Sequence, residues 1–189
     1  MKEFLRQHIE KISKLSDDEF EYVFSHFTTK KLKKGEFLVK SGDIVTSHHL
    51  VFSGCLKAYF VDEKDKLLII RFAMKDWWVT DFKAFYHKSP ATLNIDCIED
   101  SELLCITLED REKLCKEIHA VEHFFFKKLN ASYVAVHQRL LSLMNDNAKE
   151  RYEELIKKYP EILQRIPKHL IAAYLGVTRE TLSRLYLNK

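Results

Sequence analysis

Residues 166–189 read Ile166-Pro-Lys-His-Leu-Ile-Ala-Ala-Tyr-Leu-Gly-Val-Thr-Arg-Glu-Thr-Leu-Ser-Arg-Leu-Tyr-Leu-Asn-Lys189. Apolar or small side chains fall at Ile171, Ala172, Leu175, Val177, Leu182 and Leu185, in two helical runs on either side of Gly176. Glycine tolerates the left-handed backbone that a tight helix-to-helix turn needs. Thr178 is placed to cap a second helix through its hydroxyl, and Pro167 suits the start of the first, where a missing N–H costs nothing. The spacing predicts a helix-turn-helix.

The outward positions of the second helix are Arg179, Glu180, Thr181, Ser183 and Arg184. The N-terminal part of a recognition helix meets base edges in the major groove. There arginine pairs with guanine and glutamate accepts from cytosine. The same residues would also suit a small terminal helical hairpin carrying a Glu180–Arg184 surface pair. Gly176-Val-Thr-Arg-Glu-Thr-Leu-Ser-Arg184 resembles the DNA-reading signature of the cyclic-AMP receptor / fumarate–nitrate reduction regulator family of bacterial transcription regulators. The resemblance implies base-reading roles for Arg179, Glu180 and Arg184, with Lys168, Thr178, Thr181 and Ser183 completing the DNA-binding set. It also implies double-stranded DNA, a second copy of the chain and RNA polymerase as partners. Relatives usually continue into a small β-wing. Here Lys189 follows Arg184 by five residues, so no wing is expected.

Charge agrees with this placement. The formal net charge is only +3, but residues 149–189 hold nine Lys or Arg against five Asp or Glu, and the remainder holds 22 against 23. The excess lies where phosphates would be met. A length of 189 residues, 46% hydrophobic and 31% charged, fits a globular chain with one large or two small domains. No run approaches the roughly 18 apolar residues of a membrane span, and Met1–His8 has no apolar signal core, so the expectation is a cytoplasmic protein with no membrane partner. Cys55, Cys97, Cys105 and Cys115 form no CxxC and read as small buried hydrophobes. Some relatives hold an iron–sulfur cluster on N-terminal cysteines. With no cysteine before position 55, that chemistry is not expected here.

Upstream, residues 1–30 read as helical: Leu5, Ile9, Ile12 and Leu15 follow helical spacing, and Ser16-Asp-Asp-Glu19 reads as a capping box opening a second helix. From Leu32 the pattern becomes short strands. Lys34–Asp43 holds one between glycines, Leu50–Val61 reads as two around Gly54, and Asp62–Lys66 is a charged hairpin turn before Leu67–Phe72. Asn94–Ile98 and Glu102–Thr107 close the set. The spacing of Gly35, Gly42 and Gly54 is similar to that of the cyclic-nucleotide-binding β-roll. Residues 108–116 read as a short helix. A long helix through Asn145 then carries a seam of Phe126, Leu129, Tyr133, Val136, Leu140 and Leu143 at alternating spacings of three and four. Phe124, Phe125 and Phe126 give it more than one apolar face. The seam suits pairing of two chains, as the family's central helix does. Asn145–Asn147 is a polar hinge, and residues 148–159 begin the last helical segment.

The fold class expected is thus α+β. It comprises an N-terminal antiparallel β-roll, or jelly roll, with flanking helices over residues 1–118; a dimerisation helix over 119–145 that uses Phe126, Leu129, Tyr133, Val136 and Leu140; and a helical DNA-binding domain over 146–189.

In cyclic-AMP-binding relatives one segment carries a Gly-Glu pair for the ribose and an Arg-Ser pair for the cyclic phosphate. Counting back from Ile98-Glu-Asp-Ser101, the Arg-Ser position falls on Ala91-Thr92 and the Gly-Glu position on Val79-Thr80 or Thr80-Asp81. A phosphate taken from water needs a charged, preferably bidentate partner, and losing one costs several kcal/mol. Cyclic AMP is therefore not expected. Trp78, Thr80, Asp81, Ala91 and Thr92 mark the possible pocket of an unidentified small-molecule effector. Trp77, Phe82, Phe85 and Tyr86 make the segment aromatic, as a repacked core would also be. Lys88 and Arg71 are the cations nearest in sequence. His87 with Cys97 or Cys105 is a weak haem candidate, and His119 with His123 is an i,i+4 pair without a third ligand, so no cofactor and no metal are expected. No GxSxG, HExxH, GxxxxGK or GxGxxG occurs, and no enzyme is expected. The alternatives left open are a ligand-binding or protein-interaction module that does not bind specific DNA, and a gas or redox sensor of the same family.

Overall fold

Helices α1 (Lys2–Glu10) and α2 (Asp17–Ser25) open the chain in a computed structural model that describes residues 1–187; the last two residues of the expected 146–189 segment lie outside them. Ser16 and Glu19 form the expected capping box. The Ser16 hydroxyl accepts from the Glu19 amide at 3.2 Å, and the Glu19 carboxylate accepts from the Ser16 amide at 2.8 Å.

The strands among the described residues form two four-stranded sheets. One runs β1 (Thr28–Leu32), β8 (Ser101–Thr107), β3 (Ser47–Ser53), β6 (Trp78–Val79); the other runs β2 (Phe37–Val39), β7 (Asn94–Cys97), β4 (Cys55–Val61), β5 (Leu67–Met74). The register of β3 on β8 pairs His49 with Cys105 and Val51 with Leu103. Alternation then separates two cores. Val51, Leu103 and Cys105 join Leu38, Val39, Leu56 and Ile95. Leu50, Leu104 and Ile106 face the helices, meeting Leu5 and Ile9 of α1, Phe20 and Val23 of α2, Leu114 of α4 (Leu108–Glu117) and Phe124 of α5 (His119–Asn145). Burial on both faces explains why Leu103–Ile106 is a continuous apolar run rather than an alternating one.

Gly54, at φ +93°, joins β3 to β4; a Cβ there would lie 2.5 Å from the Asp100 carbonyl oxygen, so only glycine fits. Trp78 is turned into the helix-facing core, where its indole N–H donates to His8 Nε2 at 3.0 Å. The other ring nitrogen of His8, Nδ1, lies 3.0 Å from Asp76 Oδ1 and must donate to it, so the ring is the neutral Nδ1–H tautomer.

By contacts the chain divides into two units. One comprises residues 1–58 with 72–130, the other residues 59–71 with those from 131 onward. The division thus runs inside α5, and the tip of the β4–β5 hairpin groups with the C-terminal helices. Those are α6 (Ala148–Lys158), α7 (Ile162–Arg165), α8 (Lys168–Leu175) and α9 (Arg179–Leu187). In this second unit the buried apolar side chains among the described residues are Ile69, Tyr152, Leu155, Ile162, Ile166, Leu170, Ile171, Ala172, Leu175 and Leu182. Asn147 caps α6, accepting from the amides of Lys149 and Glu150 at 2.9 and 3.1 Å. At the hairpin tip Asp62 Oδ1 accepts from the amides of Lys64 and Lys66, each at 2.9 Å.

Two buried histidines make the first unit sensitive to acid. Burial, with Lys128 nearby and against the opposing pull of Asp76, lowers the pKa of His8 to about 4. Burial, with Lys30 nearby, lowers that of His49 to about 4 as well. The unfolded chain holds these protons near pH 6.5, so the stabilisation is complete above that value and is lost as pH falls toward 4. Each histidine should contribute on the order of 3 kcal/mol. Urea midpoints should fall steadily from pH 7 to pH 4, and His8→Gln should flatten part of the slope. A midpoint constant across that interval would contradict the assignment.

Candidate nucleic-acid interface

Helices α8 and α9 are joined by Gly176, Val177 and Thr178. Gly176 takes the left-handed conformation at φ +70°. The Val177 amide donates to the Ala172 carbonyl at 3.0 Å and the Gly176 amide to that of Ala173 at 3.3 Å, which is the paired-bond termination of a Schellman motif. Thr178 then opens α9, its Oγ1 accepting from the Thr181 amide at 3.2 Å. Leu182 turns inward, 1% exposed, and α9 packs on α8.

This leaves the rest of the α9 N-terminus outward. Arg179, Glu180, Ser183 and Arg184 are exposed, as are Thr178 and Lys168, while Thr181 is half-buried beside the Thr178 hydroxyl. The Glu180 carboxylate is held below its usual pKa by its own backbone amide and the Thr178 side chain, with Arg179 and Arg184 adding to the effect. The geometry therefore offers two cationic forks and one carboxylate on one short helical face, the residue types that read guanine and cytosine edges.

The carbonyl end of α8 is held by two arginines that the sequence did not single out. Arg139 donates to the carbonyls of Tyr174 at 2.6 Å and of Ile69 at 3.2 Å, and its guanidinium lies 3.6 Å from the centroid of the Tyr174 ring. Arg151 donates to the carbonyls of Leu175 at 3.1 Å and Asp146 at 2.6 Å. Cations at a helix C-terminus satisfy its orphan carbonyls and oppose its dipole. Their partners lie up to 70 residues away, so no local pattern reveals them.

The expected seam on α5 is exposed along its length: Phe126, Leu129, Tyr133, Val136 and Leu140 are each at least half exposed, and Val134, Leu141 and Met144 widen the apolar face. Phe124 and Phe125 are buried instead against the β-domain.

The five residues expected around an effector have different surroundings. Trp78 lies in the helix-facing core with His8, and Ala91 in the core between the sheets. The Thr80 hydroxyl donates to the Ser47 carbonyl at 3.0 Å. Asp81 and Thr92 meet, where Asp81 caps α3 (Phe82–His87). A cavity of about 470 Å³ in the same domain is lined by other residues, among them Thr28, Lys30, Asp43, His49 and Cys105. Lys88 is the exposed residue ending α3, and Arg71 lies beside Tyr159 and Tyr174. His87 is exposed, whereas Cys97 and Cys105 are buried between the sheets. His119 pairs with Glu122 at 3.3 Å on an exposed face. Among the described residues no group of three or more His, Cys, Asp or Glu is placed to hold a metal, and no helix is long and apolar enough to cross a membrane.

Residues 29–118 match the cyclic nucleotide-binding domain family. The chain is 25% identical to the transcriptional regulatory protein btr of Bordetella pertussis, with 82% of this chain and 68% of that protein covered. Its fold is similar to that of FixK2 from Bradyrhizobium japonicum, with a TM-score of 0.73 at 16% identity over 86% of this chain and 83% of the other. It is also similar to CLP, a c-di-GMP-responsive global regulator of Xanthomonas campestris, with a TM-score of 0.71 at 13% identity over 92% and 91%. Residues 29–118 thus carry a cyclic nucleotide-binding domain, and the chain is similar in fold to transcription regulators of the Crp/Fnr type.

The turn should be intolerant of change. Gly176→Ala forces a side chain into the left-handed region, at roughly 1–2 kcal/mol, and Thr178→Ala removes a cap worth about 1 kcal/mol. Urea unfolding followed by far-ultraviolet dichroism should show both losses; full stability in Gly176→Ala would contradict the turn geometry.

Proposed function

We propose that this protein is a sequence-specific DNA-binding transcription regulator that acts as a homodimer on an inverted repeat. The observation that carries the reading is the α8–turn–α9 unit. It is capped at both sides of its turn, it has an inward Leu182, and it presents Arg179, Glu180, Ser183 and Arg184 outward. The exposed apolar face of α5 supports pairing with a second copy, because a face of this extent on a water-facing helix is an interaction surface. A two-fold axis along such a pair sets two α9 helices against successive major grooves, with half-sites roughly 34 Å apart. Phosphate contacts from Lys168 and neighbouring cations set the register, and base edges are read by Arg179, Glu180 and Arg184. RNA polymerase is the further partner this activity implies, the cytoplasm its place of action, and no catalytic step is involved. Any effector acts by shifting the population of DNA-competent arrangements. Cyclic AMP is not that effector, since Ala91 and Thr92 offer its phosphate no charge.

Selection from a random duplex pool should enrich an inverted repeat; failure to enrich any sequence favours a module that does not read DNA. On the selected duplex, Arg179→Ala or Arg184→Ala should cost about 1–3 kcal/mol and relax preference at one base pair. An equal loss on all sequences would restrict these arginines to phosphate contact. Leu129→Glu combined with Val136→Glu should give a single-chain species in sedimentation and abolish tight binding; an unchanged sedimentation coefficient would rule out α5 as the pairing surface.

A further inference from the structure

Asp81 is 2% exposed, and its carboxylate takes four hydrogen bonds. Oδ1 accepts from the Ala84 amide at 3.1 Å. Oδ2 accepts from the Thr92 amide at 2.7 Å, the Leu93 amide at 3.0 Å and the Thr92 hydroxyl at 3.1 Å. Among the described residues no Lys or Arg forms an ion pair with it, so backbone dipoles and one hydroxyl hold the charge. The loop presenting these donors is itself fixed: the Ala91 amide donates to the Asp43 carbonyl at 2.8 Å, and the Gly42 amide to the Ala91 carbonyl at 2.8 Å. Successive amides converging on one point form an anion site. Burial alone would raise the pKa of Asp81, but the bonds from Ala84, Thr92 and Leu93 outweigh it and keep the carboxyl ionised.

We propose that Asp81 is a built-in ligand. Its carboxylate fills, from within the chain, the anion site made by the amides of Thr92 and Leu93 and the Thr92 hydroxyl, and it holds residues 81–93 closed without any external anion. A phosphate-bearing effector finds this site already occupied. The consequence for regulation rests on the DNA-binding reading: DNA affinity is then set without a nucleotide. Removing the side chain should turn the segment into a site that an external anion completes.

The test uses the full chain as wild type, Asp81→Asn and Asp81→Ala, with inorganic phosphate, acetate and cyclic AMP as probes against sodium chloride of equal ionic strength. Asp81→Ala should lower Tm by roughly 5–10 °C. Phosphate or acetate should restore part of the loss, while leaving wild type unmoved; Asp81→Asn should fall between. In wild type without probe, the Thr92 and Leu93 amides should exchange slowly with solvent, and phosphate or cyclic AMP should not alter the rate. That measurement decides the matter if Asp81→Ala does not fold. Exchange at open-loop rates, protection that appears only with phosphate, or an Asp81→Ala protein as stable as wild type overturns the proposal. DNA affinity of wild type should be the same with and without cyclic AMP. Absence of DNA binding would sink the regulator reading alone, because the melting and exchange results stand apart from it.

Discussion

The β3–β8 pair has to be buried on both faces, and the first unit is arranged around that requirement. Val51, Leu103 and Cys105 need the second sheet, while Leu50, Leu104 and Ile106 need the helices. Neither layer suffices alone, since a strand pair this apolar would leave one face in water. Trp78 ties the helical layer down. It belongs to the short edge strand β6 yet bonds His8 on α1, so sheet and helix share one buried polar contact. That contact exists only while the imidazole stays neutral, which is how a core built from leucines acquires a dependence on pH.

The second unit solves a different problem with a smaller core. Its outward helix α9 is short and, among its described side chains, Leu182 is the buried one, so its direction depends on how firmly α8 is seated. The guanidinium groups of Arg139 and Arg151 occupy the carbonyls that α8 leaves unsatisfied at Tyr174 and Leu175. A lysine has neither the fork nor the flat face that stacks on Tyr174, so these positions need arginine.

What was legible in the sequence was local. Ser16 and Glu19 are three residues apart, Gly176 and Thr178 two, and each pair does in the structure what its chemistry suggests. The strands from Phe37 to Phe72 followed from glycines and the Asp62 turn for the same reason; β1 did not, because Thr28–Leu32 is polar and mostly exposed and begins inside the stretch that reads as helical, and the two-residue β6 carries no period. The exposure of Phe126, Leu129, Tyr133, Val136 and Leu140 agrees with their periodicity, because a seam facing away from its own domain is a property of one helix. Non-local contacts were not legible. His8 with Trp78, Arg139 with Ile69, and the grouping of the hairpin tip with the C-terminal helices join residues about 70 or more apart along the chain. Asp81 shows the boundary well. Counting placed it at or next to a ligand-holding position, but only the fold shows its carboxylate turned onto the chain's own amides. The short helix α7 escaped notice because four residues carry no period.

The α5 face also bears on the life of the chain before it finds a partner. A newly made copy displays Phe126, Leu129, Val134, Val136, Leu140, Leu141 and Met144 to solvent, a hydrophobic surface of the kind that chaperones and proteases recognise. On the proposed pairing of two copies through α5, a chain at low abundance is exposed to quality control for longer, and at high abundance the face is covered sooner by mass action. The proposed pairing would therefore tie the lifetime of the protein in the cell to its own concentration.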